Sequence, residues 1–100
     1  MTEAFKVIAG KPTITKDPNA RLDYYERWGS WLDTDTIVTV TTPTVVGVTV
    51  DEVNIINAGV DVQLWLTGGV LGETGSVTVH IVTAAGREDD RTLYFKIRSR

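Results

Sequence analysis

From Val60 to Arg98 the chain sets apolar against polar residues at every second position through three consecutive segments. No other feature constrains the fold as tightly. In Val60 to Leu66, Val60, Val62, Leu64 and Leu66 share one phase, and Asp61, Gln63 and Trp65 share the other. From Ser76 to Thr83, Val77, Val79 and Ile81 alternate with Thr78, His80 and Val82. From Arg91 to Arg98, Leu93, Phe95 and Ile97 alternate with Tyr94, Lys96 and Arg98. A period of two belongs to a strand with one buried and one wet face, because successive side chains leave a pleated backbone on opposite sides. Three such strands need a second layer to cover the apolar face.

The rest of the chain carries weaker signals of the same kind. Strands are predicted for Arg21 to Trp28, with Leu22, Tyr24 and Trp28 on one face, and for Thr36 to Thr42, ended by Pro43. Shorter ones are predicted for Val45 to Val50 and Glu52 to Ile56. Trp31-Leu32 anchors a turn built from Asp33-Thr34-Asp35, and Asn57-Ala58-Gly59 forms another. Phe5 to Ile8 and Thr13 to Thr15 read as short strands interrupted by Gly10, Pro12 and Pro18. Helical periodicity is hard to find. About seven short strands at turn-punctuated intervals in 100 residues predict an antiparallel, immunoglobulin-like β-sandwich. The division is an N-terminal arm, residues 1–18, and a sandwich domain, residues 19–100. The arm's Phe5, Val7, Ile8 and Ile14 suit it to pair with an edge strand of its own domain or of a neighbour.

Composition removes several functions. Ten Lys and Arg against thirteen Asp and Glu give a net charge of −3, with no basic stripe for nucleic acid or an anionic membrane surface. The chain has no cysteine, which excludes a disulfide framework and a thiolate metal site. The first six residues lack the apolar stretch of a secretory signal, and no run approaches the ~20 residues that cross a bilayer. His80 is the one histidine, and Ser76, four residues along the same strand, lies roughly 13 Å away. That is too far for proton transfer, so a non-enzymatic chain is expected. Gly68-Gly69 with Gly72 lacks the Gly-Lys-Ser/Thr ending and the following helix of a phosphate loop. Three acidic groups, Asp33 with Asp35, Asp51-Glu52, and Glu88-Asp89-Asp90, match no complete calcium-loop pattern, and Arg87 and Arg91 flank the third. No cofactor is expected. Tyr25, Trp65 and Tyr94 fall in the polar phase of their strands, where large rings mark contact surfaces. The candidate partner-contact residues are Phe5, Val7, Ile8, Trp65 and Tyr94.

An ordered set of short motifs adds a resemblance. Lys16-Asp17-Pro18-Asn19, Leu22-Asp23-Tyr24, Trp28-Gly29-Ser30-Trp31-Leu32 and Asp35-Thr36-Ile37 form a first block. Val62-Gln63-Leu64-Trp65-Leu66 with Gly68-Gly69 and Gly72 form a second. Val77-Thr78, Ile81, Thr83, Ala85-Gly86-Arg87, Asp89 and Arg91-Thr92-Leu93 form a third. Together they resemble the fiber–tail adaptor family of tailed bacteriophages. The resemblance implies a compact sandwich in the virion tail, assembled in the host cytoplasm. It also implies several copies, arranged as a ring, that join the tail to fibers or neighbouring tail proteins without catalytic residues. Two positions depart from that pattern: Gly75 stands where the family often has Tyr, and Glu26 stands where an apolar residue is expected. The second departure suggests an open or partner-covered sheet edge. The competing expectation is a non-catalytic, glycan-binding module of a bacterial surface protein, holding sugars on Trp65 or Tyr94.

Overall fold

The computed structural model describes residues 6–8 and 11–99. Among them the chain is all-β, with nine strands in two sheets and one helical turn. The strands are β1 (Lys6–Ile8), β2 (Lys11–Lys16), β3 (Leu22–Arg27), β4 (Ile37–Val40) and β5 (Thr44–Val46). They continue as β6 (Thr49–Ile56), β7 (Asp61–Thr67), β8 (Thr74–Thr83) and β9 (Glu88–Ile97), and α1 (Gly29–Leu32) follows β3. One sheet runs β1-β2-β9-β8-β4, with β5 also on β8; the other runs β3-β7-β6. A three-stranded layer facing a sheet in which β2 lies parallel to β9 is consistent with the immunoglobulin-like arrangement.

The alternation read from the sequence becomes the core. Val62, Leu64, Leu66, Val77, Val79, Ile81, Phe95 and Ile97 are wholly buried, and Tyr24 meets Phe95 edge-on at 5.0 Å between ring centres. Each such side chain contributes roughly 1.5–3 kcal/mol through burial, so this seam dominates stability. Asn57, Ala58 and Gly59 all have positive φ, which turns β6 tightly into β7.

Several boundaries differ from expectation for identifiable reasons. Strands β3 to β9 make up the expected seven, and β1 and β2 of the N-terminal segment bring the number to nine. The segment Val45 to Val50 splits at Gly47-Val48, where the chain crosses from one sheet to the other, and its second half joins Glu52 to Ile56 in β6. Gly75 lies against that crossing. A Cβ there would come within 2.9 Å of Val48 and 3.0 Å of the Val46 carbonyl, so a tyrosine at this position has no room. β6 is one bulged strand, with Asp51 as its extra residue. β9 starts at Glu88, three residues earlier than predicted, and pairs with β8 from Val82↔Glu88 onward. Within the N-terminal segment, β2 pairs in parallel with β9 through Thr13↔Tyr94 to Lys16↔Ile97. Its Ile14 is 4% exposed and belongs to the core.

Candidate interaction surfaces

The conspicuous motif residues converge at one end of the sandwich. α1 leaves two carbonyls at its end, and Arg87 reaches both, at 3.3 Å from Trp31 O and 2.9 Å from Leu32 O. The same guanidinium lies 4.3 Å from the Trp31 ring centre and bonds the Asp35 carboxylate at 3.1 Å. Asp35 also accepts the backbone N–H groups of Thr36 and Ala85. The Thr83 hydroxyl bond, followed by those N–H groups and Arg87, holds its carboxyl down to about 2. One arginine therefore locks the β8–β9 turn onto the helical turn.

A second arginine closes the flank between β3 and β9. Trp28 is wholly buried, and its indole N–H donates to Asp89 at 2.8 Å. Arg91 stacks 4.8 Å from the Trp28 ring centre, donates to the Arg27 carbonyl at 2.8 Å and pairs with Glu26 at 3.3 Å. Burial raises the Glu26 carboxyl above its ordinary value, with Arg91 opposing that shift. Glu26 thus faces inward as half of an inter-sheet ion pair, on β3, which is an edge strand of the smaller sheet.

At the other end, Lys16 is a buried cation. Its ammonium donates to three carbonyls, Asp17 and Gly68 at 2.9 and 2.7 Å and Ala20 at 2.7 Å. All three N–H bonds are used, yet desolvation still lowers its pKa from 10.5. Lys16 ties the sheet containing β2 to the loop leaving β7.

The predicted contact residues do not converge. Phe5 lies outside the described residues. Val7 and Ile8 belong to β1, paired with Pro12 and Lys11, at the free edge of the larger sheet. Tyr94 is half-buried in the same sheet, beside Thr13 and Ser76. Trp65 is half-buried on the opposite outer face, with the Arg21 guanidinium 4.5 Å over its ring. Around it, Asp23, Tyr25, Gln63, Asn54 and Glu52 form one hydrogen-bonded chain across β3, β7 and β6.

The acidic groups are drawn into ion pairs and hydrogen bonds. Arg21 pairs with Asp51 at 2.6 Å and approaches Glu52 at 3.8 Å. Strand parity divides the third group: Asp89 turns inward to Trp28, while Glu88 and Asp90 turn outward to His80. Both imidazole nitrogens meet carboxylates, and the Asp90 bond, then the Glu88 bond, raise the His80 pKa.

Sequence reasoning missed one further surface. β4, β5 and β6 leave an open flank with a groove of about 400 Å³ lined by Val40, Thr41, Pro43, Val45, Val50 and Val53, among others. The signal was present as Val38, Val45, Val46 and Ile55, apolar residues on strands with a free side.

These features define a β-sandwich whose motif side chains are drawn into hydrogen bonds and ion pairs between its elements, with an apolar groove open on the β4–β5/β6 flank. The comparison with protein families makes this specific. Residues 16–96 match the family described as podophage GP4 fiber-tail adaptor protein gp77, and the chain belongs to that family. The match opens at the buried Lys16 and spans β3 to β9. No match was found among curated proteins.

Proposed function

We propose that this chain is a non-catalytic adaptor of a bacteriophage tail that joins the tail to fibers or to neighbouring tail proteins. The family match over residues 16–96 carries this reading. The use of Trp28, Trp31, Asp35, Arg87, Asp89 and Arg91 as braces supports it, because rigid presentation of surfaces is what an adaptor needs. Several copies act together, so that weak contacts add through effective concentration. The β1 edge with Val7 and Ile8, the preceding Phe5, and the faces carrying Tyr94 and Trp65 contact different partners. Arg21 stacked on Trp65 counts against the glycan-platform alternative, since the ring face is already engaged.

The test is particle assembly without this chain. Virions produced from a phage carrying an early stop codon in its coding sequence are expected to lack fibers in negative-stain micrographs, and added purified protein is expected to restore them. Particles with a full complement of fibers in its absence would end the proposal.

A further inference from the structure

One histidine and two carboxylates meet where β8 faces the start of β9, and strand register puts them together. His80 lies directly opposite Asp90, and Val82, the next residue of β8 in the same phase, lies opposite Glu88. Cross-strand and diagonal neighbours on one face are within reach of long side chains, so the imidazole falls between two carboxylates. Its Nδ1 meets the Asp90 carboxylate, and its Nε2 lies 2.7 Å from that of Glu88. A neutral imidazole has one N–H and one lone pair, while an ionised carboxylate only accepts. Both contacts are therefore hydrogen bonds only when the ring carries its second proton.

The other elements packed around His80 bring no charge to it. Its same-face neighbours on β8 are Thr78 and Val82, and just past β4 the Thr41 N–H and hydroxyl bond the His80 carbonyl at 3.0 and 3.1 Å. Arg87 and Arg91 are turned elsewhere, the first to Asp35 and the second to Glu26 and Asp89. Among the described residues, no Lys or Arg pairs with Glu88 or Asp90.

We infer that His80 is a proton-operated clasp on the first three residues of β9, and that Trp28, on the inner side of the sheet, responds to its state. The link is Asp89. It stands between the two clasped residues and, by strand parity, projects to the opposite face, where it accepts the Trp28 indole N–H at 2.8 Å. With an imidazolium bonded to both carboxylates, residues 88–90 are held to β8 from outside while Asp89 is held to Trp28 within. Loss of the proton leaves a lone pair facing a carboxylate. One acid is then released, the strand end is tied once instead of twice, and the Asp89 bond loosens with it. The Asp90 bond and then the Glu88 bond favour the charged ring, against a smaller effect of burial, so His80 keeps its proton above the ordinary 6.5. The clasp is fully closed below 6.5 and opens as pH rises through the higher folded value. Glu88 and Asp90 are exposed, so the effect is local and adds little to global stability.

An untagged chain has a single histidine, so its imidazole signal needs no assignment. The ring protons and the tryptophan indole N–H signals are followed by NMR over roughly pH 5 to 9, the window that brackets an imidazole. Trp28 is identified by elimination with Trp31→Phe and Trp65→Phe. The imidazole midpoint is expected above 6.5, and the Trp28 N–H is expected to move with the same midpoint. Glu88→Gln combined with Asp90→Asn should return the imidazole to about 6.5. His80→Gln should abolish the Trp28 step. All three positions face outward, so folding is retained and is checked by circular dichroism. An imidazole midpoint at or below 6.5 would overturn the inference. So would a Trp28 signal that ignores the imidazole titration, or one that keeps its step in His80→Gln. None of these results touches the adaptor reading, which stands or falls on the fibers.

Discussion

The two flanks of this sandwich are built in opposite ways. Between β3 and β9 the sheets are closed by Trp28, Arg91, Glu26 and Asp89, which are buried or half-buried and hydrogen-bonded across the gap. Between β4–β5 and β6 they are spanned by the Gly47-Val48 crossing and otherwise left open, with valines facing solvent. The same fold therefore has a flank where side chains are committed to structure and one where they are available. Motif-rich sequence marks the first, and plain Thr-Val sequence marks the second.

Substitutions can break this contrast, and the largest effect is expected at the closed flank. Trp28→Ala removes a wholly buried ring and leaves Asp89 and Arg91 without their central partner, which should cost about 4 kcal/mol. Urea unfolding measures it, and a loss under 1 kcal/mol would mean the flank closes without its tryptophan. Lys16→Met comes next. The thioether fills the stem's space but leaves the carbonyls of Asp17, Ala20 and Gly68 without this donor, for a loss of about 2–3 kcal/mol. An unchanged midpoint would show that water replaces the ammonium.

The closed flank was only half legible in the sequence. Alternation from Val60 onward identified Val62, Leu64, Val77, Val79, Phe95 and Ile97 as core, because period two is a local property of a pleated strand. Lys16 gave no such signal. Two of the carbonyls that hold its ammonium, Asp17 and Ala20, lie within four residues, but the third, Gly68, is 52 residues away and its position depends on the tertiary path. Glu88-Asp89-Asp90 read as one acidic turn because β9 was taken to begin at Arg91. Extending the strand by three residues splits the group by parity, sending Asp89 to Trp28 and its neighbours to His80. The groove escaped because an edge is a property of sheet order, which no short window of sequence contains.

Arg91→Met sharpens the comparison through pH. Glu26 then keeps its half-buried carboxyl without a counter-charge, at a cost of about 1–2 kcal/mol at pH 7. Burial already raises this carboxyl above 4.5, and losing Arg91 removes the opposing influence. A raised carboxyl contributes full stability below its unfolded value of 4.5 and loses it as pH rises through the higher folded value. The defect should therefore shrink as pH falls from 7 to 4.5, measured as the difference in urea midpoint from wild type. A defect independent of pH would place the damage in the lost Trp28 stacking instead.

The smallest effect is expected at the open flank, where one pair of neighbours isolates the difference. Val45 on β5 lies directly opposite Val77 on β8, so the two share a strand pair, a residue type and a local pairing. They differ in cover: Val45 is 39% exposed and Val77 is fully buried. Threonine in place of valine keeps the β-branched shape and exchanges one methyl for a hydroxyl. At position 77 that hydroxyl enters the core and should cost about 1–3 kcal/mol. At position 45 it can reach water at the groove mouth, and the change should stay within about 0.5 kcal/mol. If Val45→Thr proved as damaging as Val77→Thr, the groove would be part of the folding core and not a surface held ready for contact.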